Sequence, residues 1–386
     1  MKRNRFSYYT NQKIFLLCIA ILLLFGFALQ IDYHSTKASF SNFFMKYFAF
    51  LSAALGVILV VISKINLLKR IPKGILFFNL ISLGLLVLVL IFGHEVNGAK
   101  RFLRFDPFTF QPSTLARMAI IAHVAYFLNN NLKSIGEKNL GQFLLLILPL
   151  FYLIVPQYTA ILIGTHLSAV AISILTIIAM FWLAGVRKRF IGSILLIGIV
   201  GFSAIIIAGS MTGKAFRSTR VSIFRKYCWY MPGGSDIKIK DGMGNQARES
   251  IIALKAGGLV GVGSSKGLAK HNYISDVHTD YAFTMIAEQG GFVAGIVIIG
   301  LYVVILIVTS KELMGIKNNY LKLLGMGLAF NIFLNAFVHI GVNQCIIFPT
   351  GQTLPFVSWG GTSFVVDLAS AAVIYNIMAN KGKLYA

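Results

Sequence analysis

Apolar runs long enough to cross a lipid bilayer follow one another through almost the whole chain, and one long interruption, Met211 to Asp280, divides them into two groups. A span needs about 20 predominantly apolar residues, and about ten runs approach that length, from Ile14–Ile31 at the start to Phe364–Met378 at the end. Hydrophobic residues make up 57% of the 386 and charged residues 12%, with a mean hydropathy of +0.78. So few charges cannot clothe a water-soluble globule. The expectation is therefore an all-α, polytopic membrane bundle forming a single domain over residues 1–386. Spans 1–7 lie at about 14–208, an outer loop at about 211–280, and spans 8–10 at about 281–378.

The net charge of +23 would suit a nucleic-acid partner if the cations formed a patch. They fall instead in short segments between apolar runs, which is the pattern that orients membrane helices. With the basic N-terminus in the cytoplasm, the inner connections carry Lys64, Lys69, Arg70 and Lys73, then Lys133 and Lys138, then Arg187 to Arg189, then Lys311, Lys317 and Lys322. Lys381 and Lys383 place the C-terminus on the same side. The outer connections at Gln157-Tyr158 and Ile346 to Ser363 carry no Lys or Arg. Two outer segments depart from this rule, Lys100/Arg101/Arg104 and the long loop. Long loops cross the membrane largely regardless of charge. Their cations read either as a solvated face or as a site for an anionic ligand, since clustered Arg and Lys suit phosphate oxygens. Cys18, Cys228 and Cys345 show neither a disulfide framework nor a zinc-ligand spacing. The first run is read as a retained helix, because no small-residue cleavage site follows it.

Two prolines and several glycines between Phe348 and Ser363 forbid a continuous helix there. Irregular backbone at membrane depth is tolerated only where protein buries it or a wet cavity receives it, so a re-entrant or cavity-lining loop is expected ahead of a plain surface turn. The glycines of Ala256 to Gly267 lack the Lys-Ser/Thr of a phosphate loop and read as close helix packing or a tight re-entrant turn. Asp280 stands where the long loop re-enters the membrane. A carboxylate there is either functional or the N-cap of the eighth span. Glu288 is about two helical turns further on, either a support for the site or a buried acid paired to a cation.

These segments together resemble the SEDS family (shape, elongation, division and sporulation), polytopic peptidoglycan glycosyltransferases that include RodA and FtsW. Gly98-Ala99-Lys100-Arg101-Phe102 resembles the family's GA-x-R-W, and Phe110-Gln111-Pro112-Ser113 its FQPSE. Gln246 with Ala256 to Gly263 resembles Q…GGLxGxG, and His278-Thr279-Asp280-Tyr281 with Ala287-Glu288 resembles HTDF…AEE. Leu354 to Ser363 resembles LPFISYGGSS. Asn335 to Asn343 and Pro349 to Pro355 are similar to the division-type, FtsW-like branch more than to the RodA-like one. Three departures stand out. Thr114 replaces the family's Glu and Arg117 its Lys, the QPDLGTA segment survives only as Val155 to Ala160, and Ile274-Ser275-Asp276 replaces LPE.

The resemblance implies polymerisation of lipid II at the outer face of a bacterial cytoplasmic membrane. Asp280 would be the general base and Lys100, Arg101, Arg217, Arg220, Gln246 and Ser358 the substrate contacts. Asp276, His278 and Glu288 would support them. It also implies a class B penicillin-binding protein, a transpeptidase, as partner, together with other divisome or elongasome membrane proteins. No cofactor follows from the residues, although a divalent cation (Mg or Mn) bridging pyrophosphate and carboxylate is compatible chemistry. A lipid II flippase or a non-catalytic scaffold for a synthase are the alternative readings.

Overall fold

The structure is a computed structural model and describes residues 3–35, 40–63, 65–96, 99–105, 108–137, 139–164, 166–196, 198, 222–228, 245–271, 274 and 276–380. Its helices are α1 (Arg3–Ser35), α2 (Phe40–Ser63), α3 (Ile65–Phe92), α4 (Pro112–Glu137), α5 (Leu140–Ile163), α6 (Leu167–Leu183), α7 (Asn245–Gly257), α8 (Ala282–Met314), α9 (Asn319–Asn343) and α10 (Thr362–Ala379). Among the described residues seven of them, α1, α2, α3, α5, α8, α9 and α10, are long and apolar enough to cross a membrane. Helices α4 and α6 occupy the places of the fourth and sixth expected runs. The seventh run, Ile191–Ala208, lies for the most part outside the described residues, so ten spans are not all accounted for. Helices α9 and α10 are the most enclosed, packed on each other and on α4.

The bundle is helical as expected, with one addition between α3 and α4. Strands β1 (His94–Val96), β2 (Ala99–Phe105) and β3 (Phe108–Phe110) form an antiparallel meander in the order β1-β2-β3. The aromatic side chains of Phe102, Phe105, Phe108 and Phe110 favour extended backbone, a signal outweighed in the sequence by the neighbouring apolar spans.

A second difference concerns the turn after the fifth span. The sequence places an outer connection at Gln157-Tyr158, but α5 runs through Pro149 and Pro156 to Ile163. In a bilayer a helix must keep its backbone paired, and packed neighbours let it pass a proline. Gln157 is fully buried, donating to Asn79 Oδ1 at 2.9 Å and accepting from Ser82 Oγ at 3.1 Å, both on α3. The connection therefore lies after Ile163, at the cap residue Gly164 and at His166.

Helix α8 breaks at Gly291, where φ is 69°. An unbroken helix would pair the amides of Phe292 and Val293 with the carbonyls of Glu288 and Gln289. Those amides instead donate to Gly258 O at 2.9 Å and Leu259 O at 3.2 Å. The freed carbonyls accept from Val262 N and Gly263 N, each at 3.0 Å. The glycine-rich turn thus satisfies all four groups that the break releases. Gly261, at φ 85°, lies so close to Gln289 O that no side chain fits, and a β-carbon on Gly291 would run into Leu259 O. Both readings of these glycines, close packing and a tight re-entrant turn, are realised in one element.

The passage from Phe348 to Gly361 is non-helical, and Leu354, Phe356, Val357 and Ser358 are buried in protein, as a re-entrant loop requires. Gly26 of α1 lets it approach, since a β-carbon there would stand 2.8 Å from Phe356 O. Tyr302 of α8 donates to the Pro355 carbonyl.

Alanine at Gly291 is expected to destabilise the protein by about 1–3 kcal/mol, because it forces both a strained φ and a collision. A thermal melt in detergent measures this. Alanine at Gly300 in the same helix, where a β-carbon meets open space, is expected to leave the melt unchanged.

Candidate active site

The first part of α8, residues 282–290, starts beneath a turn formed by residues 276–281. Asp276 adopts φ 56°, and its carbonyl accepts from Thr279 N at 3.1 Å and Asp280 N at 3.0 Å. The opening amides of the helix are capped from α9. Phe283 N donates to His339 Nε2 at 3.4 Å and Thr284 N to Asn343 Oδ1 at 3.0 Å. The cap position is Tyr281, whose side chain makes no capping bond. Asp280 is therefore not the N-cap, and of the two sequence readings the capping one is excluded. Asn343 also donates to the Asp280 carbonyl at 3.0 Å, holding its backbone in place.

The half-buried Asp280 side chain meets a residue from the other end of the site. A β-carbon at Gly351 would stand 3.2 Å from Asp280 Oδ2 and 3.6 Å from Arg101 Nη1, so carboxylate and guanidinium converge on this glycine. Strand alternation places Arg101 on the same face of β2 as the buried Leu103. Lys100 and Arg101 line a small cavity with Ser113 at the start of α4, His166 before α6, and the apolar Leu86, Val89 and Ile161. A small cavity lined by two cations, a hydroxyl and aliphatic side chains offers an anionic group both charge and apolar contact.

A hydrogen-bond relay joins these parts. His339 receives Phe283 N on Nε2 and so carries its proton on Nδ1, which donates to Gln352 O at 2.7 Å. The Gln352 amide lies 2.8 Å from His166 Nε2 and 2.9 Å from Ser168 Oγ. The other ring nitrogen of His166 is 3.1 Å from Ser113 Oγ. The segment that carries Asp280 and the cavity that holds Lys100 and Arg101 are thus fixed to one frame.

The remaining sequence candidates divide into three groups. Arg217 and Arg220 lie outside the described residues. Ser358, expected to touch substrate, is buried and holds the loop instead, donating to Thr279 O at 2.7 Å and accepting from Leu354 N at 2.9 Å. His278 acts through its backbone and ring. Its carbonyl accepts from Gln30 Nε2 at 3.0 Å and Trp359 N at 3.1 Å, and the ring stacks on Tyr33 at 4.3 Å. Among the described residues Glu288 pairs with no cation, unlike the reading favoured from sequence. Its two oxygens accept Leu268 N at 2.9 Å and Ala269 N at 3.0 Å. Asp276 is exposed and shapes the turn, and Gln246 is half-buried at the start of α7.

Sequence reasoning missed His166, Gly351 and Gln352. One signal for His166 was available: the sixth run, Thr159–Val186, is longer than one span needs and holds the polar Gly164-Thr165-His166 inside it. All three cysteines are free and buried. Cys345, just beyond α9, is pushed up to about 12 by burial and by the nearby Cys228.

A carboxylate and a guanidinium converge on Gly351 in a polytopic helical bundle, next to a small cavity lined by Lys100, Arg101 and apolar side chains, and the fold is that of a multi-pass membrane protein. The sequence profile of the FtsW/RodA/SpoVE family, described as cell cycle proteins, matches residues 10–383, and the chain belongs to that family. It is 30% identical over 380 residues to a probable peptidoglycan glycosyltransferase FtsW of Trichlorobacter lovleyi, covering 95% of this chain and 92% of that one. Stage V sporulation protein E of Bacillus subtilis is 29% identical over 295 residues, 76% of this chain and 75% of the relative. Among solved structures the fold matches a chain from a peptidoglycan synthase complex that coordinates polymerization and crosslinking, with TM-score 0.70 and 22% identity over 95% of this chain and 97% of that one. It also matches Thermus thermophilus RodA, with TM-score 0.63 and 20% identity over 95% and 96%.

Valine at Gly351 would wedge carbon between Asp280 and Arg101. The expected outcome is loss of at least about tenfold in the rate of the family reaction, since small displacements of reacting groups are costly. The melting temperature is expected to stay within a few degrees, because Gly351 sits in a half-buried loop with no left-handed φ.

Proposed function

We propose that this chain is a peptidoglycan glycosyltransferase that polymerises lipid II at the outer face of the cytoplasmic membrane. The observation that carries the reading is the convergence of the Asp280 carboxylate and the Arg101 guanidinium on Gly351, with the adjoining helix capped by other residues. A sugar hydroxyl of one lipid-linked disaccharide attacks the anomeric carbon of another. The new carbon–oxygen bond forms as the bond to the pyrophosphate breaks, the bonding pair leaves with undecaprenyl pyrophosphate, and Asp280 takes the hydroxyl proton. Arg101 and Lys100 stabilise the charge that grows on the leaving group, in a place where protein and lipid exclude much of the water. Residues 1–386 are read as one membrane domain, and the expected outer loop at 211–280 lies in part outside the described residues.

A divalent cation bridging pyrophosphate and carboxylate is compatible with this chemistry. Among the described residues no three His, Cys, Asp or Glu side chains gather to hold one. Among the described residues Asp280, which faces a guanidinium, is the one carboxylate at this point of the site. The crosslinking complex to which the fold is similar supports a transpeptidase of the penicillin-binding class as partner. Similarity to several FtsW proteins supports a role in division.

Purified chain with its transpeptidase partner, given lipid II, is expected to build glycan strands resolved on a gel. Asp280→Asn is expected to lower the rate by about 100-fold or more, the usual worth of a general base. Full polymerisation by that variant removes Asp280 from the role, and transbilayer movement of lipid II without polymer points to a flippase. The orientation is tested separately: protease-cleavable tags on either terminus are expected to be cut only from the cytoplasmic side.

A further inference from the structure

The last turn of α1 carries a carboxylate that none of the chemistry above uses. Asp32 Oδ1 accepts from Lys270 Nζ at 2.9 Å and Ser264 Oγ at 2.6 Å, and Oδ2 accepts from Gln289 Nε2 at 2.8 Å. One side chain thus ties three elements together: α1, the segment after the glycine-rich turn, and the end of the short helix 282–290. The Lys270 and Asp32 side chains are only 8% and 18% exposed, so solvent screens this pair less than an ordinary surface bridge.

The same turn of α1 also grips the start of the short helix. Gln30 donates to the His278 carbonyl and Tyr33 stacks on the His278 ring, two residues before Asp280. The far end is held at Gln289, through Asp32 and through the backbone exchange at the break. Next to it Glu288 collects the amides of Leu268 and Ala269, so Lys270 arrives on a segment already pinned to the helix it helps to place. With the continuous helix interrupted at Gly291, residues 282–290 cannot take their position from the rest of α8. α1 contributes to it at both ends, beside the α9 caps at the start and the glycine-rich turn at the break.

We infer that Asp32, through Lys270 and Gln289, is a positioning residue for Asp280, with the 282–290 helix as the rigid arm between them. The inference rests on the reading of Asp280 as general base. It makes the Asp32–Lys270 charge pair, bonded only to protein groups here, necessary for full turnover.

The test uses the full chain with its transpeptidase partner in liposomes and lipid II as substrate. Asp32→Asn and Lys270→Met each lower kcat about tenfold with KM within twofold, as expected for a displaced reacting group. Lys270→Arg, which keeps the charge, retains wild-type kcat. The exchange Asp32→Lys with Lys270→Asp recovers at least half of it, and the melting temperatures of Lys270→Met and Lys270→Arg agree within a few degrees. Wild-type kcat in both single variants overturns the inference. So does a kcat loss that Lys270→Arg shares, or one that follows the melting temperature. Asp280→Asn measured alongside separates the two readings. Its failure to lose activity removes the base itself, whereas its inactivity beside fully active Asp32 and Lys270 variants removes only the positioning role.

Discussion

Four backbone groups released where α8 breaks at Gly291 find their partners in the glycine-rich turn, and the geometry of the site depends on that exchange. An amide or carbonyl left without a partner at membrane depth costs several kcal/mol, so a helix does not break there unless something replaces its ladder. The turn does so with Gly258, Gly261 and Gly263 in left-handed conformations that place its backbone directly on that of Glu288 and Gln289. The break creates a short helix with its own axis, and that helix starts beside Asp280.

The polar groups around this short helix follow the same rule. Each is held by a partner from another element: Asn343 and His339 for the first amides, Ser358 for the Thr279 carbonyl, Gln30 and Trp359 for that of His278. With the amides already capped, the Asp280 carboxylate can be directed at Gly351 and Arg101. Deeper in the bundle, positions that depart from the family pattern are also settled locally. The Thr114 hydroxyl turns back to Gln111 O at 2.8 Å, and the buried Arg117 donates to Asn335 Oδ1 at 2.7 Å. The site therefore does not need an acid at position 114 to hold its shape. Its polar frame runs through α9 and the re-entrant loop.

Much of this was legible in the chain itself. Apolar runs of span length, Lys and Arg concentrated in alternate connections, and prolines with glycines between Phe348 and Ser363 led to a membrane bundle with a buried irregular loop, because a bilayer leaves few other solutions. Asp280 stood out for the same reason, as a carboxylate where such a chain has almost none. The polar pair at 157 and 158 misled, since a polar residue can lie inside a span where a neighbour meets it, and α3 does this with Asn79 and Ser82 on the buried Gln157 side chain. Glu288 misled in a similar way. Its partners are two backbone amides, which carry no signature in the side-chain sequence.

Local pattern and hydropathy are enough to say which segments enter the membrane and which acid lies at its edge, because the cost of burying a charge or an unpaired backbone group acts on each segment alone. The company that acid keeps is a different matter. That Arg101 reaches it across Gly351, that Asn343 relieves it of capping, that His166 and Gln352 join the cavity to its helix, and that Asp32 stands behind that helix all follow from side chains distant in sequence meeting in space. Only the packing of α1, α8, α9 and the re-entrant loop against one another brings them together.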